Sequence, residues 1–114
     1  MIEIGKRGLQ EANLIIDQGC SESFTVIHKD DSGNVIDHSN STGYIALQKG
    51  KNTYKFPNAV TCGASNIVVS LSGTDTKAIK PDEYLWDLIV VMQSGQSIRL
   101  LYGDAYVIDT YALD

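Results

Sequence analysis

Cysteine, proline and long apolar runs are all scarce in this chain of 114 residues, which contains two cysteines and two prolines. Beyond the N-terminus, the longest apolar run is residues 88–92, about a quarter of the length that a helix needs to cross a bilayer. The N-terminal residues 1–7 also lack the uninterrupted apolar stretch of a signal peptide. These absences predict a protein that is neither exported nor inserted in a membrane, and that folds in a reducing cytosol.

Positive charge is also scarce, since 9 lysines and arginines stand against 14 aspartates and glutamates and give a net charge of −5. An acidic balance of this size favours solubility and opposes binding to nucleic acid or to an anionic membrane. No short window of the sequence is basic enough to reverse it. We therefore predict neither nucleic acid nor membrane as a partner.

The two cysteines, Cys20 and Cys62, allow one disulfide, although a reducing compartment favours two free thiols. Together with the two histidines, His28 and His38, they match the ligand number of a zinc site. No pair among the four has the close spacing of a zinc knuckle. The sequence therefore predicts no metal and no cofactor.

The residues that are present favour strands. Apolar residues are bunched or alternate with period 2, and β-branched and aromatic residues dominate these runs. Clusters of Gly, Asn, Asp and Ser separate the runs at intervals of about ten residues, which is typical of a sandwich or barrel. Strands are predicted over residues 13–17, 23–29, 35–37, 44–49, 53–56, 66–71, 84–92, 97–102 and 105–109, with no legible pattern over 58–65.

The length and an apolar fraction of 43% predict one folded domain. Residues 1–10 are predicted to be an extended N-terminal arm, loose or docked on a neighbouring molecule, because Gly5 and Gly8 interrupt any regular pattern. Residues 11–114 form the single β-sandwich domain. Two hairpins are expected within it, over Phe24–Asp37 and across the turn at Gln93–Gln96.

The strand predicted over 84–92 is the longest, and both of its faces are mostly apolar, which marks a central strand covered on each side. Pro81 and Tyr84 at its start match a tyrosine corner, in which the hydroxyl bonds to upstream backbone. Trp86 is predicted to lie in the core because it shares a face with Tyr84 and Leu88. The predicted fold is thus an all-β, immunoglobulin-like antiparallel β-sandwich of about seven to nine short strands.

The sequence contains no complete catalytic or ligand-binding motif. Residues 5–8 lack the flanking strand and helix of a phosphate-binding loop, and neither His28 nor His38 lies in a motif that would make it a general base. Carboxylates in the turns at 30–31 and 82–83 are expected to face water or local backbone. Residues 30–34 carry oxygen ligands but lack the distant glutamate of a calcium loop. No catalytic residue is identified, so we predict that the protein is not an enzyme.

Partner binding is the remaining function class. Candidate contact residues are apolar or aromatic side chains of the arm and of the C-terminal region, namely Ile2, Ile4, Tyr106 and Tyr111. The arm is expected to pair with the edge strand of a neighbour.

A series of landmarks follows in order along residues 12–109. They are Gln18-Gly19, Phe24, the turn 31–33, Thr42-Gly43-Tyr44, Ser72/Thr74/Thr76, Pro81, Tyr84, Asp87-Leu88 and the turn 93–96. In this order and spacing they resemble a family of small β-sandwich proteins encoded among the tail, baseplate and fibre genes of tailed bacteriophages.

The resemblance implies a virion structural protein that is assembled in the host cytoplasm and is multimeric in the particle. We therefore predict a non-enzymatic protein of the tail, baseplate, neck or fibre-attachment region, whose partners are other virion proteins and further copies of itself. Two alternatives stay open at this stage. One is a capsid decoration protein of the same architecture, and the other is an immunoglobulin-like carbohydrate-binding or adhesion module.

Overall fold

A computed structural model describes residues 2–5 and 10–110 of the chain. Within these residues the chain forms ten strands, one short α-helix and one 3-10 turn over Pro57–Ala59. The strands and helix are β1 (Ile2–Ile4), β2 (Gln10–Glu11), β3 (Leu14–Asp17), β4 (Glu22–His28), β5 (Thr42–Lys49), β6 (Asn52–Phe56), β7 (Val60–Cys62), β8 (Ile67–Leu71), α1 (Gly73–Lys77), β9 (Asp82–Val91) and β10 (Ser97–Ile108).

The strands form two sheets, which confirms the predicted all-β sandwich. The four-stranded sheet has the order β1-β4-β8-β7, and the six-stranded sheet has the order β2-β10-β9-β5-β6, with β3 also paired to β10. Both sheets are mixed, because β1 pairs with β4 in parallel and β2 and β3 pair with β10 in parallel. The prediction of antiparallel pairing throughout is wrong at these three pairings, where segments far apart in sequence meet.

Three strand predictions are corrected by the structure. The return strand predicted over 35–37 is reduced to one bridge between Lys29 and Val35, although the turn itself forms. The two strands predicted over 97–102 and 105–109 are one continuous strand, β10, which has a register shift between Arg99 and Leu101. The illegible segment contains β7, whose three residues alternate in burial at the sheet edge.

The core lies between the two sheets and is built by period-2 alternation. Along β8, Ile67, Val69 and Leu71 are buried, and along β9 the buried residues are Tyr84, Trp86, Leu88 and Val90. Burying this much apolar surface, at about 25 cal/mol per Å², is the main favourable contribution to folding. The other fully buried aliphatic residues include Ile16, Val26, Ile45, Leu47, Ile79, Leu100 and Leu101.

The crossover from β8 to β9 is fixed by side-chain hydrogen bonds. Ser72 caps α1 through a reciprocal pair of bonds with Asp75, each 3.0 Å long. The buried Thr76 hydroxyl donates to the Cys20 carbonyl at 2.8 Å and accepts from the Gly19 amide at 3.0 Å. The crossover is thereby tied to the turn between β3 and β4, which brings the Gln-Gly and Ser/Thr landmarks of the sequence together.

A buried pair of histidines lies at the end of β4. His28 Nδ1 and His38 Nε2 are 2.9 Å apart, and the two rings are stacked with centroids 5.2 Å apart. The second nitrogen of His38 lies 3.0 Å from the Ser41 hydroxyl. The pKa of His38 is lowered, mainly by burial and then by the charge of His28, while the charge of the nearby Asp37 opposes the shift. The pair is therefore a polar interaction held inside the sandwich, with His38 favoured in its neutral form.

The N-terminal segment meets β10 at a close backbone contact. The Ala12 carbonyl oxygen accepts a hydrogen bond from Trp86 Nε1 at 2.8 Å, and the Ala12 amide donates to the Tyr102 carbonyl at 2.8 Å. A Cβ atom added to Gly103 would lie 2.1 Å from that same Ala12 oxygen. Only glycine allows the two backbones to approach this closely.

Candidate contact surface on the six-stranded sheet

The outer face of the six-stranded sheet carries the candidate contact surface, and the alternation along β9 positions it. Because Tyr84, Trp86 and Leu88 point into the core, Leu85 and Asp87 point away from it. Leu85 is 67% exposed. The prediction that β9 is covered on both faces is therefore wrong on this side, although β9 is central within its sheet.

Three carboxylates surround Leu85. Glu83 and Asp87 are two residues away along β9 and share its face, and Asp104 lies directly opposite on β10. The fourth side, on β5, carries the neutral Gln48. Among the described residues, none of these three carboxylates takes part in an ion pair. An exposed leucine is thus placed inside an acidic ring, which we call the Leu85 ring.

A second apolar group adjoins the Leu85 ring. Tyr106 lies opposite Glu83 on one side and opposite Ile15 of β3 on the other. Ile15 is 63% exposed, and Ile108, two residues along β10, is also exposed. The pKa of Tyr106 is raised, mainly by the charge of Asp104 and then by burial and the charge of Glu83. This shift reflects the negative potential of the face. Of the five large exposed hydrophobic residues in the described chain, four lie here.

A shallow concave region of about 340 Å³ lies beside Leu85 on the same face. The small residues Ala46 and Gly103 leave this space between larger neighbours. Its rim includes Glu11, which lies opposite Tyr102 on β10. The face therefore combines projecting apolar side chains with a recess bordered by three carboxylates, those of Glu11, Asp87 and Asp104, and by Arg99.

The cations of this face lie on aromatic rings. Lys55 Nζ is 3.9 Å from the centroid of the Tyr44 ring, and the Arg99 guanidinium is 5.1 Å from the Tyr102 centroid. Such contacts stabilise a cation by about 0.5–1 kcal/mol at exposed sites. Arg99 also lines the concave region beside Leu85, where it is one cation against the carboxylates of Glu11, Asp87 and Asp104, so the region remains acidic on balance.

The predicted corner residues lie at the start of β9, on the opposite side of the sheet from Leu85. The Tyr84 ring is 4% exposed and packs edge-on against Tyr54 with centroids 5.7 Å apart. Its hydroxyl donates a hydrogen bond to the Lys80 carbonyl, just before the exposed Pro81. The pKa of Tyr84 is raised to about 12, mainly by burial, then by the neighbouring Tyr54 and then by the charge of Asp82.

Replacing Tyr84 with phenylalanine is expected to lower the free energy of unfolding by about 1 kcal/mol, because the partly buried hydrogen bond to the Lys80 carbonyl is lost while the ring remains. Urea denaturation monitored by tryptophan fluorescence measures the change. Tyr106→Phe is the matched control, since its ring is exposed and it should change stability by less than about 0.5 kcal/mol. Equal stability of the Tyr84→Phe variant and the parent would show that the corner bond contributes nothing.

The candidate residues of the arm do not join this surface. Ile2 lies in β1, on the other sheet, and is partly buried against the core. The backbone of Ile4 is in β1, paired with β4 of the same chain, while its side chain and the whole of Tyr111 lie outside the described residues. Tyr106 is thus the one of the four that the structure shows on the outer face.

Two important residues of the face, Leu85 and Ile15, were missed from sequence. Both belong to strands with apolar residues on both faces, so the apolar residues alone do not indicate which face is exposed. A signal was present in the Glu83 and Asp87 that flank Leu85 with period 2, since charged residues rarely face a core unless they are paired.

The described cysteines and carboxylates form no cluster suited to a metal ion. No group of three or more His, Cys, Asp and Glu side chains in residues 2–5 and 10–110 could hold one. Cys20 and Cys62 are both free thiols. Asp30 accepts hydrogen bonds from the backbone amides of Ser32 and Asn34, both at 2.9 Å, which is a turn-stabilising role. No helix in the described residues is long and apolar enough to cross a membrane.

Comparison with known proteins gives a fold likeness only. No family model matches the chain, and no curated protein matches it. The N-terminal domain of phage TP901-1 ORF48 is similar in structure, with a TM-score of 0.53 at 10% sequence identity, covering 94% of this chain and 98% of that one.

Two enzymes also match over much of this chain. They are a 2,6-sialyltransferase from Photobacterium sp. JT-ISH-224 (TM-score 0.38, 11% identity, 90% of this chain and 18% of the other) and a family 123 glycoside hydrolase from Clostridium perfringens (TM-score 0.41, 11% identity, 88% of this chain and 23% of the other). This chain spans less than a quarter of each enzyme, and structural likeness this weak carries no functional argument.

Proposed function

We propose that this chain is a non-enzymatic structural protein of a bacteriophage virion, located in the tail, baseplate, neck or fibre-attachment region and acting through protein–protein contacts. The proposal takes its phage setting from the ordered sequence landmarks. The likeness of its fold to a domain of a phage protein agrees with that setting.

The observation that carries the proposal is the exposed outer face of the six-stranded sheet. Leu85 and Ile15 are more than 60% exposed there, and Tyr106 and Ile108 extend the same apolar area. Contiguous apolar surface on a small protein is typical of an interaction site, because leaving it in water is unfavourable. In the described part of the chain no element covers this face.

The sheet edges suit repeated contacts between copies in a particle. β6 ends the six-stranded sheet and β7 ends the four-stranded sheet, and each leaves backbone groups without a strand partner on its outer side. Exposed Lys55 on β6 disfavours unspecific edge pairing. Edge contacts with a chosen neighbour would therefore add binding surface without chemistry.

The proposal is tested on purified phage particles produced by the host that carries this gene. Mass spectrometry should find the chain in the particles, in a fixed ratio to the other virion proteins. Deletion of the gene should yield particles without part of the tail or its attached fibres in electron micrographs. Signal over the capsid shell in immunogold labelling would indicate the decoration protein instead, and absence from particles would refute a virion role.

A glycan array with the isolated domain tests the adhesion alternative. Binding of a defined sugar that is lost in the Tyr106→Ala variant would favour a carbohydrate-binding module. We expect no sugar to bind above background, because the concave region beside Leu85 has a single aromatic ring, that of Tyr102, in its lining apart from the inward-facing Trp86.

A further inference from the structure

We infer that the Leu85 ring binds a segment of another protein in which lysine or arginine side chains flank an aliphatic or aromatic anchor. This inference rests on the proposed function in one respect, since both assume that the chain works by contacting proteins. It goes further because it names the surface, the chemistry of the partner and the residues that select it.

The first step of the argument is the apolar anchor point. Leu85 projects from the centre of the sheet, Tyr106 is its diagonal neighbour on β10, and Ile15 lies opposite Tyr106 on β3. The concave region next to Leu85 gives an incoming side chain a place to enter. A binding site of this kind has a central apolar contact with a polar rim around it.

The second step is the charge of the rim. Glu83 and Asp87 are separated from Leu85 by one strand repeat, about 7 Å, and Asp104 is its direct cross-strand neighbour. Glu11 adds a fourth carboxylate at the far side of the concave region. Complementary charge selects partners and excludes those of like sign. A segment that fits the apolar centre must therefore bring positive charge to the rim.

The third step excludes a second copy of the same face as the preferred occupant. Two such faces in contact would oppose carboxylates to carboxylates around each leucine. Arg99 lines the concave region and contacts the Tyr102 ring, but the carboxylates of Glu11, Asp87 and Asp104 outnumber it there, and Lys55 lies on the Tyr44 ring. Self-association through this surface is therefore disfavoured relative to a basic partner.

A titration with two synthetic peptides tests the inference on the isolated chain. Both peptides contain the same Trp-Leu anchor, which is flanked by lysines in one and by glutamates in the other. Nuclear magnetic resonance of ¹⁵N-labelled protein should show saturable shifts of amides in β9 and β10 around Leu85 with the lysine peptide only. The dissociation constant should rise by about tenfold in Leu85→Ala and in Asp104→Lys, which remove the anchor contact and reverse one rim charge.

Asp31→Lys is the matched control, because it makes the same charge change at an exposed turn in the other part of the sandwich. It should change the dissociation constant by less than about twofold, since screening weakens distant charges. Equal loss of binding in Asp31→Lys and Asp104→Lys would overturn the inference, and so would equal binding of both peptides. A dimer in sedimentation that Leu85→Ala abolishes would make a second copy the occupant and would also overturn it.

Cross-linking in the particle separates this inference from the proposed function. A photoreactive leucine analogue placed at position 85, which keeps an aliphatic anchor, should cross-link to a segment of a virion protein that is rich in lysine and arginine, whereas the same analogue placed at position 31 should not. If the chain is present in particles but position 85 cross-links to an acidic segment or to nothing, the inference fails and the proposed function stands. If the chain is absent from particles, the proposed function fails, and the peptide titration still decides the chemistry of the face.

Discussion

Replacing Gly103 with alanine is expected to lower the free energy of unfolding by about 3 kcal/mol, the largest effect predicted for a single methyl group in this chain. The added Cβ would lie 2.1 Å from the Ala12 carbonyl oxygen, far inside van der Waals contact. The two backbones must separate to accommodate it. Urea denaturation at neutral pH measures the loss.

The effect should exceed simple overpacking because the Ala12 oxygen has a second role. It accepts the hydrogen bond from Trp86 Nε1, whose ring is buried between the sheets and packs edge-on against Phe24 at 6.1 Å. When Ala12 is displaced, the buried indole N–H loses its acceptor. We therefore also expect an altered tryptophan emission maximum in the folded Gly103→Ala protein, which isolates the indole contact from a general loss of stability.

Gly63→Ala provides the matched control. A Cβ at Gly63 would meet only the Asn66 carbonyl oxygen, at 3.4 Å. The same substitution should there be neutral or stabilising by about 0.5 kcal/mol, because alanine restricts the unfolded chain. If Gly103→Ala behaved like Gly63→Ala, the close contact between the N-terminal segment and β10 would be refuted.

Acidification from pH 6.5 to pH 5 is expected to lower the free energy of unfolding by up to about 1.5 kcal/mol through the buried His38. One nitrogen of the 2.9 Å His28–His38 contact carries the proton and the other accepts it. A further proton on His38 would place a positive charge in the interior beside His28. Folding therefore opposes protonation of His38.

The sign follows from the lowered pKa of His38, whose usual value is 6.5. Below that value the unfolded chain binds a proton that the folded chain does not, so stability is lost as the pH falls toward the folded-state pKa. The carboxyl groups act in a lower window. The pKa values of Glu3, beside Lys29, and of Asp82, beside Lys49, are lowered from 4.5 and 3.8, so their stabilisation is lost only below those values.

The His38→Gln variant tests the assignment, because glutamine keeps hydrogen-bonding groups but does not titrate. Its free energy of unfolding, measured by urea denaturation at a series of pH values, should change less between pH 6.5 and pH 5 than that of the parent. The slope is the readout, so a constant loss of stability in the variant does not affect the test. An unchanged slope would assign the acid sensitivity to other groups.

Local pattern predicted most of the strands and the sandwich. β-branched and aromatic alternation located β4, β5, β6, β8 and β9 to within two residues at most ends. Trp86 is buried, as its shared face with Leu88 indicated. The hydroxyl of Tyr84 bonds to the Lys80 carbonyl, an interaction that the Pro-x-x-Tyr spacing suggested. These features depend on neighbouring residues and are therefore readable from a short window.

The rest depended on contacts between distant segments. β2 and β3 find their parallel partner in β10, and no local pattern reports such a pairing. The same pairing places Ile15 beside Tyr106 on the outer face. Leu85 was missed for the related reason that an apolar strand with two apolar faces does not reveal which one the second sheet covers.

The pairing of β3 with β10 also determines which part of the domain can fold last. Asn13 and Asp104, which share a hydrogen bond, are 91 residues apart, so this edge closes only after nearly the whole domain has been synthesised. Contacts of such high sequence separation slow folding, because a long loop must close before they form. Ile15 and Tyr106 are brought side by side by the same event. A chain that ends before β10 therefore lacks the arrangement of Ile15 beside Tyr106 on the outer face.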